Sequence, residues 1–174
     1  MRPPALTPPR TARLVLRELA AADADALHRI YGDEEAARYL GAGGGARSRE
    51  QTERTLESLL QHRRRHGFGL WAVQAEGAVV GVCGLMLVEG VGPDVELVYA
   101  FERPAWGKGY ATEAAGACLE AGFGALGLDR IVALAYRENT ASINVMRKLA
   151  MRPAGTAFVY GRRLVRYEAR SDSA

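Results

Sequence analysis

Hydrophobic and polar positions alternate over residues 13–19, the period of a strand with one buried face. The period then lengthens. Leu27, Ile30 and Tyr31 recur at helical spacing behind Asp23, which has the chemistry of an N-cap, and Gly32 stops the pattern. A second short helix is expected over 33–40. The glycine run 41–45 then reads as a flexible break, either a plain linker or a mobile lip over a substrate, with the linker favoured. Ser48 and Gln51 have capping-box spacing ahead of the stripe Thr52, Leu56, Leu59 and Leu60, a helix running to His66 and ending at Gly67.

From there the apolar runs shorten to strand length. Residues 69–75 and 79–88, joined at Glu76-Gly77, have the pattern of a hairpin. A further apolar strand covers 95–101. After a turn at 102–109, an alanine-rich helix begins at Tyr110 and reaches about Leu126; its Ala114, Ala115, Gly116, Ala117 and Gly122 permit close packing on a sheet at some loss of propensity. A strand at 130–135, a helix capped by Asn139 with Ile143, Met146 and Leu149 on its core face, and strands near 156–160 and 164–169 complete the pattern. The first nine residues carry four prolines and read as a frayed leader. The expectation is a leader over 1–10 and a single domain over 11–170, without internal repeats.

Composition narrows the class. A chain of 174 residues has the length of one substantial core, and 48% hydrophobic with 25% charged residues is the balance of a soluble globular protein. The 23 basic and 20 acidic residues are spread along both halves, and a formal charge of +3 is too balanced to imply nucleic acid. The basic run 62–66 reads as a solvated helix end, where cations meet the negative pole of the dipole. Cys83 and Cys118 stand alone in apolar runs and read as buried small hydrophobes, not a disulfide. His62 and His66 lie one helical turn apart with no third ligand nearby, so no metal site is expected. No run is long and apolar enough to span a bilayer, and the start has no apolar signal core; the cytoplasm is the expected location.

Two features carry candidate chemistry. Gly107 and Gly109 stand just before the helix that opens at Tyr110. Glycines let backbone approach a ligand, and the free N–H groups and positive dipole end of a helix start suit phosphate. No Ser or Thr follows Lys108-Gly109 to hold magnesium, and the spacing lacks the third glycine of a dinucleotide fingerprint. Binding would fall to the backbone, with Lys108, one of only two lysines, as helper; the bland alternative is a strand-to-helix connection without a ligand. The second feature is Glu96, a carboxylate in an apolar strand, an arrangement that favours a raised pKa and a role as base. Its bland alternative is a strand-end carboxylate facing solvent or paired with an Arg.

Three motifs together resemble the GNAT N-acetyltransferase superfamily. Trp106-Gly-Lys-Gly-Tyr-Ala-Thr-Glu-Ala114 resembles its acetyl-CoA pyrophosphate loop, in the form found in the branch that acetylates N-terminal amines of ribosomal proteins. Asn139-Thr-Ala-Ser142 followed by Lys148-Leu149 resembles that branch's second cofactor segment, and Thr11-Ala-Arg-Leu-Val-Leu-Arg17 its opening strand. Val98, Pro104 and Ala150-Met151 depart from the branch pattern, and none of them removes the cofactor chemistry.

The resemblance implies an α/β domain with a mixed, mostly antiparallel central sheet flanked by helices, in which strand 96–101 splays from its neighbour. Backbone groups of Tyr99, Ala100 and Phe101 would pair with the pantetheine arm, and an N–H there would face the oxyanion. Trp106, Gly107, Lys108, Gly109, Tyr110, Ala111 and Thr112 would form the pyrophosphate loop. Asn139 would hydrogen-bond the cofactor, or serve only as an N-cap. Ser142 would lie near the sulfur as cofactor contact and proton donor, or be simply a polar first-turn residue. Tyr110, Tyr136 and Tyr160 are alternative phenols. The implied reaction moves an acetyl group from acetyl-CoA to a primary amine, a protein N-terminus or a small molecule, and a homodimer is admitted. The reading from another class is a non-catalytic acyl-CoA-binding module; nucleic acid and membrane are not expected partners.

Overall fold

The computed structural model describes residues 6–41 and 44–171. Strands β1 (Val15–Glu18), β2 (Leu70–Ala75), β3 (Ala78–Leu87), β4 (Val95–Phe101), β5 (Arg130–Ala135), β6 (Arg152–Val159) and β7 (Arg162–Arg170) form one sheet in the order β1-β2-β3-β4-β5-β7-β6. The β2–β3 hairpin turns at Glu76 and Gly77, both at positive φ, the geometry that matches strand twist in a two-residue turn. All neighbours are antiparallel except β4 and β5. Their parallel ladder consists of the single pair Glu96 and Val132, so the edge of β4 from Leu97 to Phe101 is not taken by β5. The expected mostly antiparallel sheet with a splayed central strand is thus present.

Helices cover both faces of the sheet. Alternation along β4 sends Leu97 and Phe101 into a core with Trp71, Cys83, Leu85, Ala115 and Cys118, under α4 (Tyr110–Gly124) and α5 (Thr140–Lys148). The opposite side, Ala72, Val82 and Ala100, packs on Leu27, Ile30, Leu56 and Leu59 of α1 (Ala24–Tyr31) and α3 (Arg49–His66). Strands buried on both faces read as the near-continuous apolar runs seen in the sequence. Cys83 and Cys118 are free and buried, their sulfurs 3.7 Å apart between β3 and α4.

The α3 capping box forms as its spacing predicts: Gln51 N–H donates to Ser48 Oγ at 3.2 Å and Ser48 N–H to Gln51 Oε1 at 2.8 Å. Several local expectations give way to longer-range contacts. Asp23 does not cap α1; it accepts from Arg17 at 2.7 and 2.8 Å and from Ala20 N–H at 2.8 Å, and the Arg17 guanidinium holds its carboxyl below the usual range. Helix α2 (Glu34–Ala37), expected over 33–40, is capped by Asp33, which accepts from Glu35 and Ala36 N–H, and it stops before Leu40, where the Ala37 carbonyl accepts from Gly45 N–H at 2.9 Å.

The basic end of α3 is only partly solvated. His62 is 8% exposed; its Nδ1 donates to Phe68 O at 3.1 Å and its Nε2 accepts from Leu87 N–H at 3.2 Å. Arg63 stacks over Trp71 and donates to Leu6 O. Of the expected leader, residues 1–5 lie outside the described residues, while Leu6 is buried and its N–H donates to Gly67 O at 2.8 Å. Strand β6 begins at Arg152, earlier than its apolar pattern indicates, with a register shift between Pro153 and Thr156. Among the described residues no helix is long and apolar enough to cross a membrane, and no group of His, Cys, Asp or Glu is placed to hold a metal ion.

Candidate active site

Helix α4 starts without a side-chain cap. Gly109 occupies the N-cap position at φ 79°, left-handed backbone that favours glycine, and Gly107 lies at φ 74°. The first bond of the helix runs from Glu113 N–H to Gly109 O at 3.1 Å. The N–H groups of Tyr110, Ala111 and Thr112 are therefore left over by the helix and point, with the dipole, out of its N-terminus. They open onto a cleft of about 570 Å³ lined also by Tyr99, Ala100, Phe101, Trp106, Gly107, Asn139 and Ser142, and on its far wall by Tyr39 and Leu40. The ring of Tyr39 lies 5.6 Å from that of Tyr136, joining the segment after α2 to the end of β5. The cleft thus follows the edge of β4 that β5 leaves free.

The loop residues differ in role. Trp106 is 48% exposed, and its indole N–H donates to Phe101 O at 2.8 Å, so it caps the end of β4 and occupies the Phe101 carbonyl. Lys108 is exposed with Nζ 6.0 Å from the Tyr110 ring centre. Its carbonyl accepts from Arg13 Nη1 at 3.0 Å, while Arg13 also holds Glu113 through its N–H and Nε at 2.8 and 2.7 Å. Arg13, 95 positions away in sequence, braces the loop from outside. The opening motif 11–17 contains it, but no periodicity or spacing points to that contact.

Across the cleft, Asn139 caps α5 with Oδ1 accepting from Ser142 N–H at 3.1 Å, which leaves its Nδ2 for a ligand. Ser142 Oγ lies 2.8 Å from Tyr99 OH, and Tyr99 OH donates to Ser142 O at 3.1 Å. Burial, set against the Ser142 hydrogen bond, pushes the Tyr99 phenol well above its ordinary range, so it stays a proton carrier at neutral pH.

Glu96 lies on the other face of β4, at its one pairing with β5, and is not among the residues lining the cleft. It is 7% exposed, opposite Met86 on β3. Burial raises its carboxyl from 4.5 to about 7, against the opposing effect of a 2.7 Å hydrogen bond from Tyr160 OH. Among the described residues it forms no ion pair with an Arg. Nearby, Asp94, Arg130, Arg166 and Glu168 satisfy one another in ion pairs. Of the three alternative phenols, Tyr160 alone reaches Glu96, while Tyr110 lines the loop and Tyr136 stacks on Tyr39. Glu96, with its raised carboxyl, thus sits where β4 pairs with β5, and the free helix N–H groups open onto the cleft along the unpaired part of that edge.

Residues 13–152 match the family model of the acetyltransferase (GNAT) domain. The chain belongs to the GNAT acetyltransferase family. It is 30% identical over 148 residues to the uncharacterized N-acetyltransferase p20 of Bacillus licheniformis, covering 83% of this chain and 82% of that protein. A GNAT-family acetyltransferase from Bacillus anthracis is 26% identical with a TM-score of 0.79, over 94% of this chain and 98% of that one. RimL, a ribosomal L7/L12 alpha-N-protein acetyltransferase solved with coenzyme A, shares the fold at a TM-score of 0.79 over 96% and 99% of the two chains, with 18% identity. This GNAT protein is accordingly an acetyl-CoA-dependent acetyltransferase. Its uncapped α4 N-terminus and the cleft beside it fit a pyrophosphate-bearing acyl donor.

Proposed function

We propose that this enzyme transfers the acetyl group of acetyl-CoA to a primary amine, with Glu96 as general base and Ser142 as proton source for the leaving thiolate. The observation that carries the reading is the buried Glu96 carboxyl, raised to about 7 at the point where β4 and β5 part. A base with that pKa is half ionised near neutral pH and takes a proton from an ammonium group without holding it too tightly.

The chain's residues divide the work. Backbone N–H groups of Tyr110, Ala111 and Thr112, with Gly107, Gly109 and the Lys108 side chain, receive the pyrophosphate. Tyr99, Ala100 and Phe101 offer the free edge of β4 to the pantetheine arm, and an N–H of this edge steadies the carbonyl oxygen as charge develops. Asn139 Nδ2 adds a side-chain contact. The amine proton passes to Glu96 as the N–C bond forms. As the C–S bond breaks, Ser142 Oγ gives its proton to sulfur and is reprotonated from solvent, while the Tyr99 hydroxyl, 2.8 Å away, orients it. A protein N-terminus is the acceptor supported by the Trp106–Ala114 motif and by likeness of fold to an alpha-N-protein acetyltransferase; a small-molecule amine is the alternative.

The test is incubation with acetyl-CoA and a panel of peptides and small amines, reading free thiol and the acetylated product by mass. Thiol release matched by acetylated amine, for peptides with a free α-amine, is the expected result. Acetyl-CoA that raises the melting temperature without any turnover supports a binding module instead. No shift and no turnover contradict the reading entirely.

A further inference from the structure

The tip of the β6–β7 hairpin and the β3–β4 connection meet beside Glu96. Tyr160 and Glu89, one in each loop, both adopt φ 53°, a left-handed conformation that few non-glycine residues take and that persists only where surroundings impose it. What imposes it is a reciprocal pair of bonds. Tyr160 N–H donates to Glu89 Oε1 at 2.7 Å, and Glu89 N–H donates to Tyr160 OH at 3.1 Å. The phenol oxygen accepts from Glu89 and therefore aims its single proton elsewhere, at Glu96 Oε2, 2.7 Å away. The other carboxylate oxygen, Oε1, accepts no hydrogen bond from the described residues.

We infer that Tyr160, locked by Glu89, is a positioning residue that holds Glu96 by one oxygen and leaves its other oxygen for the acceptor amine. The inference rests on the reading of Glu96 as base. A buried carboxylate without a donor would bind its proton too firmly to act near pH 7, and one free to rotate would present either oxygen. Toward Glu96, Tyr160 is suited only to donate. Burial and the adjacent Glu96 push its own ionisation well above the ordinary range, so it remains a phenol at every pH of interest. The other ionisable groups around Glu96 are otherwise engaged. Glu89 faces the Tyr160 backbone, Tyr99 on the same strand is bound to Ser142, and His62 on α3 holds Leu87. Across β5 and β7, Asp94, Arg130, Arg166 and Glu168 are paired among themselves.

The experiment is a carboxyl carbon NMR titration of the full chain without ligand, the Glu96 resonance assigned by its loss in Glu96→Gln. It is paired with kcat/KM against pH for whichever amine turns over. In Tyr160→Phe, which keeps the ring, the Glu96 midpoint rises by about one unit, the scale of one charge-assisted hydrogen bond. The low-pH limb of kcat/KM moves up with it, and affinity for acetyl-CoA does not change. Glu89→Ala, which removes the acceptor for Tyr160 N–H, shifts both in the same direction by less, and serves alone if Tyr160→Phe fails to fold. A midpoint that stays or falls in the variant that folds overturns the positioning role. Wild-type turnover by Glu96→Gln instead overturns the base reading, whatever the titration shows.

Discussion

Arg13 Nη1 donates to the carbonyl oxygen of Lys108 at 3.0 Å, tying the segment just before β1 to the loop that precedes α4. The same side chain bridges to Glu113 in the first turn of the helix and lies 5.1 Å from the centre of the Tyr110 ring. A loop whose backbone must present several N–H groups at once gains from being fixed before its ligand arrives. Because the Arg13 side chain is 53% exposed, its ion pair adds little to global stability. Arg13→Ala is therefore expected to change unfolding free energy by less than about 1 kcal/mol while weakening acetyl-CoA several-fold in calorimetric titration. Equal affinity in variant and wild type contradicts the brace.

The free N–H groups at Ala111 and its neighbours make a sharper prediction. A carboxylate at that position mimics the ligand's charge and occupies its place. Ala111→Asp should weaken acetyl-CoA by at least about 1–2 kcal/mol, roughly tenfold, with folding little affected because acids suit a helix's first turn. Lys108→Ala should cost about 0.5–1 kcal/mol, since Lys108 is an exposed helper. Calorimetry of both variants tests this, and unchanged affinity in Ala111→Asp removes the phosphate loop.

Much of this loop was legible in the sequence, because glycine at left-handed positions and an uncapped helix start are local properties of residues 107–112. The α3 capping box was legible for the same reason. Asp23 was not: its cap chemistry was correctly seen, but Arg17 and the Ala20 N–H outcompete the helix for its carboxylate. His62 looked like part of a solvated basic run, because only the fold brings Phe68 O and Leu87 N–H to its two ring nitrogens. Glu96 could be singled out as a polar residue in an apolar strand. Its partner Tyr160, 64 positions on, could be named only as one phenol among several.

Ser142 and Tyr99 form one proton-sharing pair, so their substitutions should not be additive. Ser142→Ala is expected to lower kcat less than loss of Glu96 does, because solvent also protonates a thiolate. Tyr99→Phe should have a smaller effect still, and the double variant should match Ser142→Ala. Steady-state thiol release with saturating amine reads all three; a double variant far below either single one contradicts a role for Tyr99 that acts through Ser142.

Glu96 also leaves a signature in stability. Its folded pKa of about 7 lies above the ordinary 4.5, so folding favours the protonated form. That contribution is fully present below pH 4.5 and is lost as pH rises through about 7. Glu96→Gln cannot ionise and should escape the loss. It should gain on wild type by up to about 3 kcal/mol between pH 4.5 and 8 in urea unfolding, the equivalent of the shift. A stability difference that is the same at both ends of that range contradicts the burial argument.

The most direct measurement is turnover by Glu96→Gln, followed as free thiol release from acetyl-CoA with an amine that the wild type accepts. Removing a general base costs roughly a hundredfold or more in kcat. The loop at α4 is untouched, so the acetyl-CoA dissociation constant measured beside it should stay the same. A fall in kcat of that size with unchanged acetyl-CoA affinity is what the account predicts. Wild-type kcat in Glu96→Gln across the pH range contradicts it.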